Sequence, residues 1–275
     1  MQKLLKKVEI KDQGCIDFIS DLHLQPSDMA TFEAWSRYMR STPAGSLFIL
    51  GDFFEVWAGD DFLESELASF ENRCVSVLKE QAPRLSIYFM AGNRDFLLKD
   101  KALTTANMKA LDDPCLLRAQ GHEFVLSHGD AMCLTDIEYL KFRQLVRDER
   151  WQTQFLAKPL EERLAIAKSM RIKSEEEKAK YRSAFEASKS NADKANSQSE
   201  YFMGLHDVDT EFANSVLDTF HCDTLIHGHT HRPGDYALSG NKRRIVLSDW
   251  DASSAPPRLE VLRLEGGTLT RHKLA

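Results

Sequence analysis

Seven side chains that are able to bind a divalent metal come shortly after apolar runs of the sequence. The runs contain four to six residues rich in Ile, Val, Phe and Leu, and they are typical of buried strands with tight exits. The donors are Asp21, His23, Asp52, Asn93, His128, His227 and His229. Carboxylate, amide and imidazole donors without a thiolate suit Mn²⁺, Fe²⁺, Zn²⁺ or Mg²⁺. Seven donors are too many for one tetrahedral ion, so we predict two ions that share a carboxylate.

Each of these motifs is ordinary when it is taken alone. An Asp-x-His pair is usually a cap or a surface pair, and Gly51-Asp52 or Gly92-Asn93 is more often a turn. The prediction rests on the conjunction of five such motifs, each at the end of the same type of element. Because alternate side chains of a strand share a face, Asp21 with His23 and His227 with His229 are expected to point at one locus.

The elements that must position these donors alternate between strands and helices. Helices are predicted over residues 27–40, 63–81, 96–107 and 209–220, and strands over 15–20, 46–50, 85–90, 123–127, 223–226, 243–248 and 259–264. This alternation indicates a layered α/β core with its ligands at the carboxyl ends of the strands.

The middle of the chain has the composition of helices, and we predict an insertion of two or three helices over residues 136–206. Residues 1–135 and 207–275 then form the core. Residues 188–199, which lie within a longer polar stretch, 183–199, are expected to be a mobile loop. The apolar runs are too short to span a membrane, and the N-terminus has no signal-peptide core. Five cysteines without a CxxC pair favour a reducing cytosol.

Charge is distributed unevenly along the sequence. The formal net charge of −6 argues against indiscriminate nucleic-acid binding. Residues 141–190 are nevertheless net basic, so a basic segment is embedded in an acidic body. A solvated helical hairpin and a surface that meets an anionic membrane explain this segment equally well at this point.

The order of the motifs, D-x-H, G-D, G-N, H and G-H-x-H, resembles that of the calcineurin-like metallophosphoesterases. The resemblance implies a four-layer α/β/β/α sandwich and two divalent ions, for which Mn²⁺ is the expected metal. It assigns one ion to Asp21, His23, Asp52 and His229, and the other to Asp52, Asn93, His128 and His227. It also implies that a water shared by the two ions is the nucleophile, with no nucleophile from the protein.

Arg94 departs from many members of that family, in which a histidine follows the Gly-Asn pair and protonates the leaving group. An arginine does not act as a general acid at neutral pH, but its planar fork suits a phosphate. We therefore expect a leaving group that needs no protonation, such as a phosphate that leaves from a pyrophosphate. A surface ion pair between Arg94 and Asp95 is the alternative.

The motifs at 21–24, 50–57, 92–98 and 226–233 resemble more narrowly the UDP-2,3-diacylglucosamine pyrophosphohydrolases of lipid A biosynthesis. The resemblance implies attack on the uridine-side phosphorus, with UMP and 2,3-diacylglucosamine 1-phosphate (lipid X) as products. It further implies a monomer at the cytoplasmic face of the inner membrane, with the insertion as a cap over the metals. The implied substrate contacts are Asn93, Arg94, Asp136, Tyr139, Phe142, Arg171, Ser174, Lys178 and His227. Tyr181 stands where this family has a lysine, and Lys178, Lys180 or Arg182 can supply that cation.

Three other functions remain open from the sequence. A general or cyclic-nucleotide phosphodiesterase needs the same metals but no apolar cap, so the apolar stripe from Trp151 to Leu164 argues against it. A nuclease needs a basic groove, which the acidic body does not predict. A non-catalytic scaffold would keep the metals for folding alone, and the complete ligand set argues against that.

Overall fold

A computed structural model of the chain describes residues 6–172, 176 and 207–274. The chain divides into two compact units, one of Met1–Asp130 with Thr210–Ala275 and the other of Ala131–Asp209. None of the described helices is long and apolar enough to cross a membrane.

The first unit is built on two mixed β-sheets of six strands each. The strands are β1 (Lys7–Ile10), β2 (Ile16–Ile19), β3 (Ser46–Leu50), β4 (Ser86–Met90), β5 (Met108–Leu111), β6 (Cys115–Ala119), β7 (His122–Ser127), β8 (Thr224–His227), β9 (Gly234–Ala237), β10 (Arg243–Val246), β11 (Glu260–Glu265) and β12 (Thr268–Lys273). Sheet 1 has the order β1-β6-β7-β8-β10-β9, and sheet 2 has the order β12-β11-β2-β3-β4-β5. In sheet 2, β2 to β5 are parallel, and β11 is antiparallel to β2.

The core lies between the two sheets. Phe18 of β2 and Phe48 of β3 are fully buried in one apolar cluster with Leu126 of β7 and Ile226 of β8. Alternate residues of a strand face opposite sides, so each sheet turns its other face toward helices. The two sheets therefore pack face to face as a sandwich.

Three helices of the first unit, α1 (Met29–Ser41), α2 (Ser69–Gln81) and α3 (Asp100–Ala106), follow strands of sheet 2. Helix α1 covers the outer face of sheet 2, because Tyr38 of α1 donates a hydrogen bond to Asp17, whose neighbours Ile16 and Phe18 face the core. The last helix of this unit, residues Thr210–Phe220, contacts β8 of sheet 1. The predicted α/β sandwich is confirmed.

The second unit is helical where the structure describes it. It contains α4 (Ile137–Arg147), α5 (Glu149–Leu156) and a helical stretch α6 (160–172), so that the helix over Thr210–Phe220 is α7. Within it, Phe155 is buried and its ring stacks on Trp151 at a centroid distance of 4.8 Å. The polar stretch 183–199 lies outside the described residues.

Two helices begin later than the sequence predicts. Residues 60–68 form two 3₁₀ turns, so α2 begins at Ser69 rather than near residue 63. Helix α3 begins at Asp100 rather than near residue 96. The carboxylate of Asp60 accepts hydrogen bonds from the backbone N–H groups of Lys99 (2.9 Å) and Ala102 (3.0 Å), and so it satisfies two donors of that first turn. A cap supplied by a residue so distant in sequence leaves no local signal.

A buried carboxylate joins sheet 2 to α1. Asp17 accepts hydrogen bonds from Arg263 Nε (2.7 Å) and Nη2 (2.9 Å), Tyr38 Oη (2.8 Å) and Thr42 Oγ1 (2.6 Å). Burial, together with the negative charge of Asp17, raises the pKa of Tyr38 well above its usual value. The phenol therefore remains a hydrogen-bond donor.

Replacement of Asp17 by alanine is expected to lower the free energy of unfolding by about 3–5 kcal/mol, because it leaves the partly buried Arg263 guanidinium without its carboxylate. Urea unfolding of the two proteins, followed by circular dichroism, measures this difference. A loss below about 1 kcal/mol, the value of an exposed ion pair, would contradict the assignment.

Candidate metal centre

The loops that follow β2, β3 and β8 carry most of the predicted ligands in left-handed backbone conformations. The φ angles are +54° at Asp21, +46° at His23, +52° at Asp52 and +68° at His229. Such angles are uncommon for residues other than glycine, and they cluster at functional sites. The sequence argument from strand alternation was wrong on this point: Asp21 and His23 lie beyond the end of β2, and turns rather than the strand pleat direct them.

Backbone hydrogen bonds fix these loops to one another. Asp21 N donates to Gly51 O (3.1 Å), and His23 N donates to Asp52 O (3.0 Å), so the loops after β2 and β3 run side by side. In sheet 1, Gly228 N donates to His128 O (3.0 Å). Each sheet therefore presents a fixed pair of loops at the carboxyl ends of its parallel strands.

Two glycines allow these loops to approach closely. A Cβ atom on Gly92 would clash with Asp52 Oδ1 and Asp52 N, and one on Gly228 would clash with Asp21 Oδ2 and Ser20 Oγ. The carboxylates of Asp52 and Asp21 occupy the space that a side chain at these positions would fill. The loops can therefore pack this closely only because both positions are glycine.

The carboxylate of Asp52 lies between two histidines. Its Oδ2 is 3.8 Å from His23 Nε2, and its Oδ1 is 3.7 Å from His128 Nε2. The two oxygens of one carboxylate thus face imidazoles on opposite sides. This is the position that a ligand shared by two ions requires, and it agrees with the role that the sequence predicts for Asp52.

Asp21 is fully buried, and its Oδ1 lacks a well-aligned hydrogen-bond donor among the described residues. Its ligand atoms lie within 4.8 Å of those of His23 and His231 in one group, and of Asp52 and His128 in another. A buried carboxylate oxygen that is surrounded by imidazoles is costly unless a cation or a donor satisfies it. The donor set therefore fits divalent metal ions.

Two of the predicted histidine ligands contact the amide of Asn93. Its Oδ1 lies 3.1 Å from His128 Nε2 and 2.9 Å from His229 Nδ1. The Nδ1–H of His128 donates to Leu50 O (2.9 Å), and that of His227 donates to Gly228 O (2.9 Å), so Nε2 is the ligand atom of each ring. The structure thus brings Asn93 together with two of the imidazoles and orients the third.

The pKa values of the centre reflect a concentration of negative charge. Burial alone would lower the pKa of His128, but the carboxylates of Asp52, Asp21 and Asp130 raise it to about 9. Burial alone would raise the pKa of Asp21, but contact with His231 and the charge of His128 hold it well below its usual range. In the protein without metal, the imidazole of His128 is therefore protonated at neutral pH, so that a proton supplies positive charge where a metal ion would bind.

His229 is shifted in the opposite direction. Burial, and then the positive charge of His128, lowers the pKa of His229 to about 3. A neutral imidazole is the form that binds a metal, so this shift suits a ligand.

Several functional residues were missed by the sequence analysis. His231 Nε2 lies 3.3 Å from His23 Nε2 and 3.5 Å from Asp21 Oδ1, which places this histidine beside the predicted ligands. Three histidines within five residues were the available signal. Asp249 lies behind His231 at 3.6 Å from Nδ1, and Glu55 lies behind His23 at 2.7 Å from Nδ1.

A further missed residue, Asp95, braces the loops after β3 and β4. Its buried carboxylate accepts hydrogen bonds from the N–H groups of Phe53 (2.7 Å) and Gly92 (2.8 Å). Burial, and then the charge of Asp52, raises the pKa of Asp95 to about 7. The alternative interpretation of Arg94, an ion pair with Asp95, does not fit these contacts, because this carboxylate faces backbone.

Four predicted substrate contacts, Asp136, Tyr139, Phe142 and Arg171, belong to the described part of the second unit. Asp136 caps α4, where its carboxylate accepts a hydrogen bond from Tyr139 N (3.0 Å). Phe142 lies on the same helix, and Arg171 lies in α6. Ser174 and Lys178 lie outside the described residues.

Comparison with known proteins identifies the family of this chain and agrees with the fold. The model of the calcineurin-like phosphoesterases matches residues 16–233, and the chain belongs to this family. A UDP-2,3-diacylglucosamine hydrolase of Ralstonia nicotianae is 42% identical over 96% of this chain and 94% of its own length. Two further proteins of the same name are each 36% identical to this chain. The protein from Stenotrophomonas maltophilia matches over 94% of this chain and 98% of its own length. The protein from Chromohalobacter salexigens matches over 88% of this chain and 94% of its own length.

Proposed function

We propose that this protein hydrolyses the pyrophosphate bond of UDP-2,3-diacylglucosamine to UMP and 2,3-diacylglucosamine 1-phosphate. The observation that carries the proposal is Arg94, which follows the predicted ligand Asn93 and whose N–H donates to Asp52 Oδ1, in a chain whose relatives are named UDP-2,3-diacylglucosamine hydrolases. A sugar phosphate is a leaving group of low pKa, so this reaction does not need the histidine acid that Arg94 replaces.

The residues of the centre have separate tasks in this reaction. Asp21, His23, Asp52, Asn93, His128, His227 and His229 would hold two divalent ions, and we propose Mn²⁺. When bound, such ions neutralise phosphate oxygens and lower the pKa of water. The protein itself supplies fixed carboxylates and imidazoles that need not reorganise during the reaction.

Arg94 is held at the centre by its backbone. Its N–H donates to Asp52 Oδ1 (2.8 Å), and its carbonyl accepts from Trp57 N (3.3 Å). Only 14% of the side-chain surface is exposed, and Nη1 lies 3.9 Å from Oε1 of Glu55, so the guanidinium is largely desolvated. A planar cation at this position is suited to bind two phosphate oxygens at once.

Hydrolysis of the diacylated nucleotide sugar in ¹⁸O-labelled water tests the proposal. We expect the label in UMP, because the uridine-side phosphorus is the one attacked. Label in the sugar phosphate would place the attack on the other phosphorus. Turnover of a simple aryl phosphodiester, with none of the nucleotide sugar, would identify a general phosphodiesterase instead.

Replacement of Arg94 by alanine is expected to raise KM by about ten- to a hundredfold, which corresponds to one charge-assisted contact of about 1.5–3 kcal/mol. Bound metal should remain, because the side chain is not among the metal donors. Steady-state kinetics and elemental analysis measure the two quantities. Arg94→Lys is the matched control, which keeps the charge and loses the fork; unchanged kinetics in the alanine variant would make Arg94 merely structural.

We infer further that residues of the second unit bind the lipid. Asp136, Tyr139, Phe142 and Arg171, with Ser174 and Lys178, are proposed contacts of the glucosamine phosphate or its acyl chains in a monomeric enzyme. The solvent-exposed apolar side chains of Ile137 and Leu145 on α4 support an apolar ligand or surface for this unit.

The same unit is proposed to attach the protein to the cytoplasmic face of an anionic inner membrane. The net basic charge of residues 141–190 supports this, since each Lys or Arg near such a surface contributes about 1 kcal/mol. We expect vesicles that contain anionic lipid to sediment the protein at low salt and to release it at high salt. Equal sedimentation after neutralisation of Lys141 and the neighbouring basic residues would contradict an electrostatic attachment.

A further inference from the structure

Glu55 is a charged residue inside an otherwise aromatic and apolar segment, residues 53–57. The side chains of Phe53, Phe54 and Trp57 are buried, with at most 3% of their surface exposed. Only 13% of the Glu55 side chain is exposed. A carboxylate in such surroundings costs free energy unless it is paired, so its partners indicate what it does.

The first partner of Glu55 is a predicted metal ligand. Oε2 of Glu55 accepts a hydrogen bond of 2.7 Å from Nδ1–H of His23. With the proton on Nδ1, the lone pair of His23 Nε2 points toward Asp52 Oδ2 at 3.8 Å and Asp21 Oδ1 at 4.0 Å. A carboxylate behind a metal-binding histidine fixes the tautomer and the orientation of the ring.

The second partner of Glu55 is Arg94. The Nη1 atom of Arg94 lies 3.9 Å from Oε1 of Glu55, whereas Oε2 faces His23. One carboxylate thus stands between the histidine that faces the metal position and the guanidinium proposed to bind the phosphate.

The backbone holds Glu55 rigidly in this place. Glu55 N donates to Leu24 O (3.2 Å), and Leu24 N donates to Phe53 O (2.9 Å), which ties the segment to the loop that carries His23. Trp57 N donates to Arg94 O (3.3 Å), which ties it to the loop after β4. The segment therefore bridges the two loops whose side chains Glu55 contacts.

We propose that Glu55 is a positioning residue, which holds His23 so that Nε2 faces a divalent ion and keeps the Arg94 guanidinium beside the same centre. The part that concerns Arg94 rests on the proposed function, and the part that concerns His23 does not. Glu55 is proposed to act on neither the reacting atoms nor the ion directly, so its effect passes through His23 and Arg94.

The test measures Mn²⁺ binding to the full chain after removal of metal, by isothermal titration calorimetry. Glu55→Leu is expected to weaken the affinity by about 10- to 100-fold, because the imidazole loses its acceptor. Glu55→Gln keeps an amide oxygen that can accept the same hydrogen bond, so its loss should be smaller. Glu260→Gln is the matched control, since Glu260 is also 13% exposed and paired with an arginine, Arg271, at 2.7 Å; its affinity should stay within about twofold of the parent.

A purely structural Glu55 predicts a different pattern. Lower stability of the metal-free variants with unchanged Mn²⁺ affinity would overturn the proposal. If Glu55→Leu fails to fold, Glu55→Ala decides, because it also removes the acceptor; an affinity equal to that of Glu260→Gln is then the refuting result. In addition, we expect Glu55→Gln to turn over more slowly than the parent when Mn²⁺ is limiting. Its turnover should approach that of the parent when Mn²⁺ is in excess.

These outcomes are separate from those of the proposed function. A parent protein that binds two Mn²⁺ ions but does not hydrolyse the nucleotide sugar would refute the proposed function, and the order of affinities among the variants would still support Glu55. A parent protein that hydrolyses the sugar, with equal affinities in all variants, would refute the role of Glu55 alone.

Discussion

Replacement of Asp52 by alanine is expected to lower kcat/KM by at least about a thousandfold, which corresponds to about 4 kcal/mol of lost transition-state stabilisation. The physical reason is the position of the carboxylate, whose two oxygens face His23 and His128 at 3.8 and 3.7 Å. On the proposed assignment, its removal would take one ligand from each of the two ions. Elemental analysis of the purified variant should therefore find bound metal reduced at both sites, in parallel with the loss of turnover.

Asp52→Asn separates charge from shape in that experiment. The amide oxygen can still accept the hydrogen bond from Arg94 N, but the negative charge that a shared ligand provides is gone. We expect this variant to fold like the parent and to lose metal nearly as fully as the alanine variant. Two equivalents of metal in either variant would contradict the assignment of Asp52 as the shared ligand.

Replacement of Gly92 by alanine is expected to abolish detectable turnover although no charge is changed. The added methyl group would overlap the carboxylate and the backbone N–H of Asp52, so the loops after β3 and β4 must separate. Separation moves Asn93 and Asp52 away from the positions where they meet the histidines, and overpacking of this kind also costs about 1–3 kcal/mol of stability. Turnover, bound metal and urea unfolding measure the three consequences.

Gly45→Ala is the matched control for that variant. A Cβ atom at Gly45 would lie 3.8 Å from Asp12 Oδ2, an ordinary contact. We expect the control to keep both activity and metal. Full activity in Gly92→Ala would show that the loops yield more easily than the described contacts imply.

The sequence predicted the strands that lead into the metal-binding loops and missed most of the others. β3, β4 and β7 are apolar and are followed by Gly, Asn or His, and such runs are the clearest strand signals. β1 and β12 expose alternate residues at the edges of the sheets, and β9 is mostly exposed, so they lack a continuous apolar run. These strands form because a neighbouring strand supplies their hydrogen bonds: β9 pairs with β10 and β12 with β11, whereas the partner of β1, β6, is distant in sequence.

In the candidate site, too, some residues were predictable from their own sequence motif, whereas others depend on contacts with residues distant in sequence. Asp21, Asp52 and His128 indicate metal binding only together, because several such donors that each follow a strand are unusual although each one alone is ordinary. Glu55 and Asp95 differ, since a single acidic residue in the sequence carries no sign of what it contacts. A charge inside the aromatic segment 53–57 was the one available signal for Glu55, and its meaning depends on a histidine 32 positions earlier.

The place of β11 in sheet 2 has a consequence for biosynthesis. β2, which leads into Asp21 and His23, lies between β3 and β11, and residues 16–18 pair with residues 262–264. While a ribosome is still translating the middle of the chain, β2 has an open edge, and Asp17 lacks the guanidinium of Arg263. A nascent chain stalled before β11 would therefore offer this open edge to other unfinished polypeptides.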